Sequence, residues 1–273
     1  MKRLFPTFFA TLALLVAAPI AHGQTAPAPV AYTGPRYPGG PDSLRALVFR
    51  STRLATPAPT GRMLVQFELQ DGRTPRDFKL IDPPKAPKAL RKASETALAY
   101  LQARMPAWKP GTPDADDQKG STRKVHLVLD FATPAAAQPY AYAEQLPTFP
   151  NLTALLQAQR NPYLERSLSN PKTLARLASA KGLTTFMQLQ VKYPPAAMRA
   201  QEQGTVYLYF EVAESGAIEQ RQILGTAGSV LDDEVLSTAA RLPAATAPAV
   251  LQGRPARVFQ VIPISYRLAT GRP

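Results

Sequence analysis

The chain contains no cysteine. Disulfides, thiolate nucleophiles and cysteine-based metal sites are excluded together, as is the acylated cysteine that would tether a lipoprotein. Histidine is nearly absent, with only two residues, His22 and His126. His22 falls in a leader-like segment. His126 sits on the polar side of an alternating stretch with no partner for general base work, so a structural histidine is the expectation. No glycine-rich phosphate loop precedes a helical pattern. Asp114, Asp116 and Asp117 form an acidic group beside Gly111 and Pro113, but they lack the spacing and terminal glutamate of a calcium loop and read as solvated. No catalytic residue, cofactor site or metal site is expected, and the chain reads as non-enzymatic.

Acidic side chains are in deficit, 19 against 32 basic ones, for a net charge of +13. Positive charge suits nucleic acid, anionic lipid or an acidic envelope surface, and it also serves solubility. No dense Lys/Arg run with interleaved aromatics is present, so a nucleic-acid partner is not expected. Long apolar runs are missing except at the start. Lys2 and Arg3 precede an apolar stretch from Leu4 to Ala18; Pro19 breaks it, and Ala21-His22-Gly23 offers small residues. This is the secretory signal pattern, shorter than the about 20 residues a spanning helix needs. Residues 1–23 are expected to be cleaved, leaving a periplasmic or secreted chain. An uncleaved inner-membrane anchor is the alternative, and membrane contact is expected only in that case.

Proline is abundant, at 29 of 273 residues, with a hydrophobic share of 45%. Such a chain can build packed cores separated by loops. Residues 24–36, rich in Ala, Pro and Thr, read as a flexible leader. Residues 37–131 form the first organised region. Leu44, Leu47 and Val48 fall at helical spacing. Met63, Val65, Phe67 and Leu69 alternate with Leu64, Gln66, Glu68 and Gln70, the pattern of a half-buried strand. Asp71-Gly72 marks a hairpin, because both residues tolerate positive φ. Thr74–Ile81 is the returning strand. Leu90, Ala93, Ala97 and Leu101 mark a helix ended by Met105-Pro106, and Val125, Leu127, Leu129 and Phe131 a third strand.

Residues 132–148 read as an interdomain linker. Residues 149–273 repeat the order, with a mostly helical insertion at 161–192 that the first region lacks. Val206, Leu208, Phe210 and Val212 share one strand face, and Tyr207, Tyr209 and Glu211 the other. Ser215-Gly216 turns the chain into a strand from Ile218 to Leu224. Leu231, Val235, Ala239 and Leu242 line a helix whose first turn holds Asp232, Asp233 and Glu234, favourable at the positive dipole end. Gly204 suits a helix C-terminal position before a strand. Pro263 interrupts the last strand, from Arg257 to Leu268, and proline is tolerated only at an edge or a bulge. Gly61 corresponds to Gly204, and Arg104-Met105-Pro106 to Arg241-Leu242-Pro243. The fold class is therefore α+β, two small units, each a short antiparallel sheet with helices packed on one face. Each unit is too small to bury much alone, so their docking is expected.

Tyr193-Pro194, Ala197, Gly204, Val206, Phe210, Val212, Gly216, Leu231-Asp232, Leu242-Pro243, Gly253 and Val258 through Pro263 together resemble the C-terminal domain of TonB-type proteins. Tyr37-Pro38-Gly39-Gly40, Gly61, Val65, Phe67, Gly72, Met105-Pro106, Trp108, Pro110-Gly111 and Val125 resemble a degenerate member of the same family. One departure is the helix end. The family usually has an aromatic and a proline shortly after it, whereas Ala244-Ala245-Thr246-Ala247 intervene here before Pro248. The resemblance implies strand addition: an extended segment of an envelope protein, such as an outer-membrane transporter, joins a sheet edge. The candidate partner-binding residues are Arg257, Val258, Phe259, Gln260, Val261 and Ile262. A membrane-anchored energy transducer is the alternative reading. Such a protein needs a retained membrane helix and a long spacer, and only residues 24–36 are available as a spacer. An enzyme acting on cell-wall material has only location and basic charge in its favour.

Overall fold

The computed structural model describes residues 30–112, 123–179 and 182–268. The signal-like start and the Asp114, Asp116 and Asp117 group lie outside them.

Helix α1 (Gly40–Thr52) begins behind Gly39, with Pro41 in its first turn and Asp42 near its positive end. Both residues are suited to that end, proline because its missing N–H costs nothing there. Strands β2 (Arg62–Gln70) and β3 (Thr74–Ile81) form a hairpin whose turn residues Asp71 and Gly72 have φ of 51° and 68°. Helix α2 (Lys88–Arg104) carries Leu90, Ala93, Ala97 and Leu101 on one buried face. Strand β4 (Arg123–Asp130) returns beside β2, giving the sheet order β3-β2-β4. Before all of these comes the short strand β1 (Val30–Ala31).

A 3-10 turn at Ala135–Ala137 and β5 (Gln145–Leu146) lead into the second unit. There, α3 (Leu152–Gln157), α4 (Pro162–Leu168) and α5 (Pro171–Leu177) each start on an asparagine whose side chain accepts a backbone N–H: Asn151, Asn161 and Asn170. For α4 and α5 the asparagine is followed by proline, so cap and first helical residue are both preset. Helices α6 (Gly182–Gln190) and α7 (Pro195–Arg199) follow. Then come β6 (Gly204–Val212), β7 (Ile218–Gly225), α8 (Ser229–Ala239), the short strands β8 (Ala249–Leu251) and β9 (Arg254–Ala256), and β10 (Val258–Tyr266). The second sheet runs β10-β6-β7.

The two sheets share one topology: a central strand, its hairpin partner, a helix, then the other edge strand. The likeness extends to irregularities. The register of β2 with β3 shifts between Gln66 and Glu68, and that of β6 with β7 between Tyr209 and Glu211. Opposite these shifts, Asp77 and Gln220 both have φ of 53°. Gly61 (φ 119°) and Gly204 (φ 145°) open the two central strands. A Cβ at Gly204 would stand 2.9 Å from that of Ala227, so a side chain there is excluded by space as well as by φ. Gly204 is thus a strand-opening residue and not a helix C-terminal one. The preceding helix ends at Arg199, and Gln201 takes the left-handed turn with φ of 55°.

Helices cover one face of each sheet and form two separate cores, around Phe67 and Leu101 in the first unit and Phe210 and Val235 in the second. The other faces meet. Leu64 and Val128 pack against Tyr209 and Leu224, with Ile81, Tyr207, Phe259 and Val261 around them. The half-buried reading of Met63–Gln70 is corrected by this contact: Leu64 and Gln66 are buried as well as Met63 and Val65. Alternation alone marks one face as apolar, but a second sheet can cover the other. Each large apolar side chain removed from water there contributes about 1.5–3 kcal/mol.

Residues 30–36 are not the free leader expected from their composition. Val30–Ala31 pair with Gln145–Leu146, the Tyr32 amide bonds Glu144, and Arg36 bridges Lys109. Tyr32 stacks on Tyr142 with ring centroids 4.7 Å apart. Aromatic stacking and backbone pairing hold what proline and alanine content alone marks as loose. The stretch 132–148 is likewise packed, with Tyr142 and Ala143 buried. Ala245 and Thr246, in the segment that departs from the TonB-type pattern, donate their amides to Gly216 and Thr148 and tie the β6–β7 turn to that stretch.

If both faces of β2 are buried, Leu64→Ala lowers the unfolding free energy by about 2–4 kcal/mol, whereas Leu155→Ala, on an exposed helix position, changes it by less than about 1 kcal/mol. Urea unfolding monitored by circular dichroism measures both, and equal effects would contradict the sheet-on-sheet contact.

Candidate functional site

The last strand, β10, is an edge strand. Its one full ladder is with β6, from Val258 opposite Val212 to Tyr266 opposite Gly204. In an antiparallel pair, successive residues direct their backbone groups alternately toward and away from the partner strand. The phase is fixed by Phe259, whose N–H bonds the Tyr140 carbonyl at 3.0 Å, and by Arg257, whose carbonyl accepts from the Tyr140 amide at 2.9 Å. Residues 257, 259, 261, 263 and 265 therefore face outward. Proline at 263 falls on an outward position, where its missing N–H takes nothing from the β6 ladder. This is the edge placement expected of it.

The six candidate binding residues are thus adjacent but not equivalent. Arg257 is engaged within the molecule, 2.7 Å from Glu219, 3.0 Å from Glu211 and 3.6 Å from Glu214. Val258 and Ile262 point into the second core. Phe259 lies between the sheets, stacked on Tyr209. Tyr140, in a parallel bridge with Val258, already occupies the start of the edge. Gln260 is part-buried near Val30, Leu146 and Pro147. From Val261 to Ser265 the outward backbone groups have no backbone partner among the described residues.

What the sequence reading missed is the charged seam that positions this edge. Arg62, from the first unit, lies 2.7 Å from Asp130 and 3.3 Å from Glu211, and it also reaches Gln220. Glu211 in turn accepts from the Tyr209 hydroxyl at 2.7 Å and from Arg257. Burial alone would raise the Asp130 carboxyl, but the Thr133 amide and the Arg62 guanidinium outweigh it and hold the group below its ordinary value of 3.8. Burial pushes the Tyr209 phenol up, so it stays a donor to Glu211. The sequence places Glu211 on the strand face it shares with Tyr207 and Tyr209, opposite the core. The available signal was that this face also carries two tyrosines, more apolar surface than a solvated face needs.

His126 and Gln66 close the other end of the seam. Gln66 Oε1 accepts from the Tyr207 hydroxyl at 3.2 Å and lies 3.3 Å from His126 Nε2, an arrangement that uses the Nε2–H tautomer. Tyr207 and Tyr209 therefore pack against the first unit. Asp232, from the acidic helix start, is buried and accepts from the Thr226 hydroxyl at 2.6 Å. It acts as a local brace. Among the described residues no group of three or more His, Asp or Glu is placed to hold a metal ion.

Comparison with known proteins agrees with the geometry of the second unit. Residues 190–268 match the model of a family described as Gram-negative bacterial TonB protein C-terminal. That segment is similar to the TonB C-terminal domain. No curated protein and no solved structure matches the chain. The matched region runs from just before α7 through β10, so the edge strand lies within the matched segment, while the seam that holds it borrows Arg62 and Asp130 from outside. Among the described residues no helix is long and apolar enough to cross a membrane.

Burial, and then the Lys124 charge, lower the His126 imidazole from 6.5 to about 4. A lowered histidine contributes stability that is present above 6.5 and is lost as pH falls toward 4, because the unfolded chain takes up the proton first. Unfolding free energy is therefore expected to fall between pH 6.5 and 4, and His126→Gln to flatten that slope. An imidazole proton resonance titrating near 6.5 would contradict it.

Proposed function

We propose that this protein is a non-catalytic periplasmic binding module. It takes an extended segment of an envelope protein, such as an outer-membrane transporter, as an added strand on β10. Members of the matched family are non-enzymatic interaction domains that engage outer-membrane proteins. The observation that carries the reading is the unpaired outward edge from Val261 to Ser265 within the matched segment. Backbone bonds to that edge supply affinity, and the side chains flanking it supply selectivity. The contact zone shifts relative to the six residues first named. Arg257 and Phe259 position the edge, Val258 and Ile262 anchor it, Gln260 turns its backbone groups to β6, and Val261 begins the accessible part. We further infer a duplicated pair, with units over 37–131 and 149–273, from the matching topology and bulges.

Val261→Pro tests this directly. It removes one outward donor and leaves the β6 ladder intact, so the variant is expected to keep its circular dichroism and thermal midpoint. In pull-downs from envelope extract it should recover outer-membrane proteins at a small fraction of the native level. Equal recovery by both forms would overturn edge pairing.

The apolar stretch from Leu4 to Ala18 supports a second reading, an inner-membrane-anchored energy transducer. Mass spectrometry of the N-terminus of the native protein separates the two. A chain beginning near Gln24 supports the released module, and one retaining Leu4–Ala18 supports the anchored form.

A further inference from the structure

Residues 150–199 carry the short helices α3 to α7 where the first unit has α1. Their charge is one-sided: three lysines and four arginines against a single acid, Glu165. They also leave apolar side chains in water. Among the described residues six large apolar side chains are exposed, and four of them, Leu155, Tyr163, Leu174 and Met198, lie here. Exposed apolar residues scattered singly are ordinary on a surface. Two of these are not scattered.

Leu155 of α3 and Tyr163 of α4 line one groove of about 920 Å³. Leu164 and Phe186 form its buried apolar side, with Leu189 next to them. Tyr163 is held at the start of α4, where Pro162 is the first helical residue and the Asn161 side chain accepts the Tyr163 amide at 2.9 Å. Its side chain is nonetheless 64% exposed. Cations surround the same opening. Lys192 and Arg241 line it, and Arg160 stands on the loop between Gln159 and Asn161, both in its wall. Arg160 and Lys192 make no ion pair among the described residues, and Arg241 donates only to the Thr238 hydroxyl, at 3.2 Å. Two acids belong to this neighbourhood. Glu234 accepts from the Lys192 amide at 2.9 Å and from the Thr238 hydroxyl at 3.3 Å. Glu165 is two residues beyond Tyr163 and so turned to another side of α4.

An exposed tyrosine and leucine ringed by cations match the chemistry of a membrane interface. Apolar side chains enter the boundary between headgroups and acyl chains, and basic ones meet anionic headgroups. Tyrosine suits that boundary because its body is apolar and its tip polar. We infer that this face docks on a lipid bilayer bearing anionic headgroups, with Tyr163 and Leu155 entering the interface and Arg160, Lys192 and Arg241 on the headgroup phosphates. Such docking is peripheral and needs no spanning helix. It depends neither on the fate of Leu4–Ala18 nor on edge pairing, and it would keep the β10 edge beside a membrane.

The test is sedimentation of the full chain, as isolated from cells, with vesicles of phosphatidylcholine alone or mixed with phosphatidylglycerol. Binding to the mixed vesicles is expected to be at least about tenfold tighter at low salt, and to weaken as salt rises. The chain as a whole carries a net charge of +13, so a charge-matched control is needed. Lys192→Glu and Tyr163→Ser should each weaken binding about tenfold, whereas Lys88→Glu, at the exposed start of α2 in the first unit, should change it little. All three positions are exposed, so circular dichroism should stay native. Val261→Pro should bind vesicles as the native chain does, which lets this inference and edge pairing fail separately. Equal losses for Lys192→Glu and Lys88→Glu would show attraction by net charge alone and overturn the site. An unaffected Tyr163→Ser, or sedimentation with neither kind of vesicle, would overturn it as well.

Discussion

Glu211 is the point on which the arrangement turns. It sits on the central strand of the second sheet, faces the first sheet, and accepts from Arg62, Tyr209 and Arg257. Removing one partner of such a buried pair leaves an uncompensated charge, at a cost of about 3–5 kcal/mol, although an apolar replacement of the whole seam could be just as stable. Its role is therefore one of register. An oil-like contact between Leu64, Val128 and Leu224 would tolerate sliding of one sheet over the other. Two arginines and a carboxylate satisfied at hydrogen-bond distance do not, and they fix where β10 lies relative to β4.

This constraint explains what could and could not be read from the sequence. The strands, the hairpin at Asp71-Gly72 and the helix face of Leu90, Ala93, Ala97 and Leu101 depend on local periodicity and turn chemistry, and all stand where those features put them. The edge position of Pro263 was legible for the same reason, since a missing N–H is a property of one residue. The seam was not. Arg62 and Glu211 are far apart in sequence, and each, taken alone, is an ordinary charged residue on a strand. Leu64 and Tyr209 lie on the strand faces opposite the two cores, and the surface that covers each of them comes from the other unit. The leader misled for a related reason: Pro and Ala content describes loose chain, but Tyr32 finds Tyr142 only after the fold has formed.

The two sides of the sandwich are unequal. On one, β3 and β7 come together, with Gly225 so close to Ile81 that a side chain there would collide. On the other, β4 and β10 stand apart, and residues 30–35 and 140–147 bridge part of the gap. The shared topology of the units makes this possible, because each sheet keeps its third strand on the same flank of its hairpin. The matched segment consequently has a partly built neighbour beside its open edge.

Pro263 has one further consequence, for the company the strand keeps. Two copies meeting antiparallel through residues 261–265 would place Pro263 opposite Pro263, and both central hydrogen bonds would be missing. A foreign strand in the same place forfeits one bond at that position. Exposed edges tend to recruit their own kind. Here the chain carries, at the middle of this open stretch, a residue that makes pairing between two copies poorer than pairing with a strand that has no proline there.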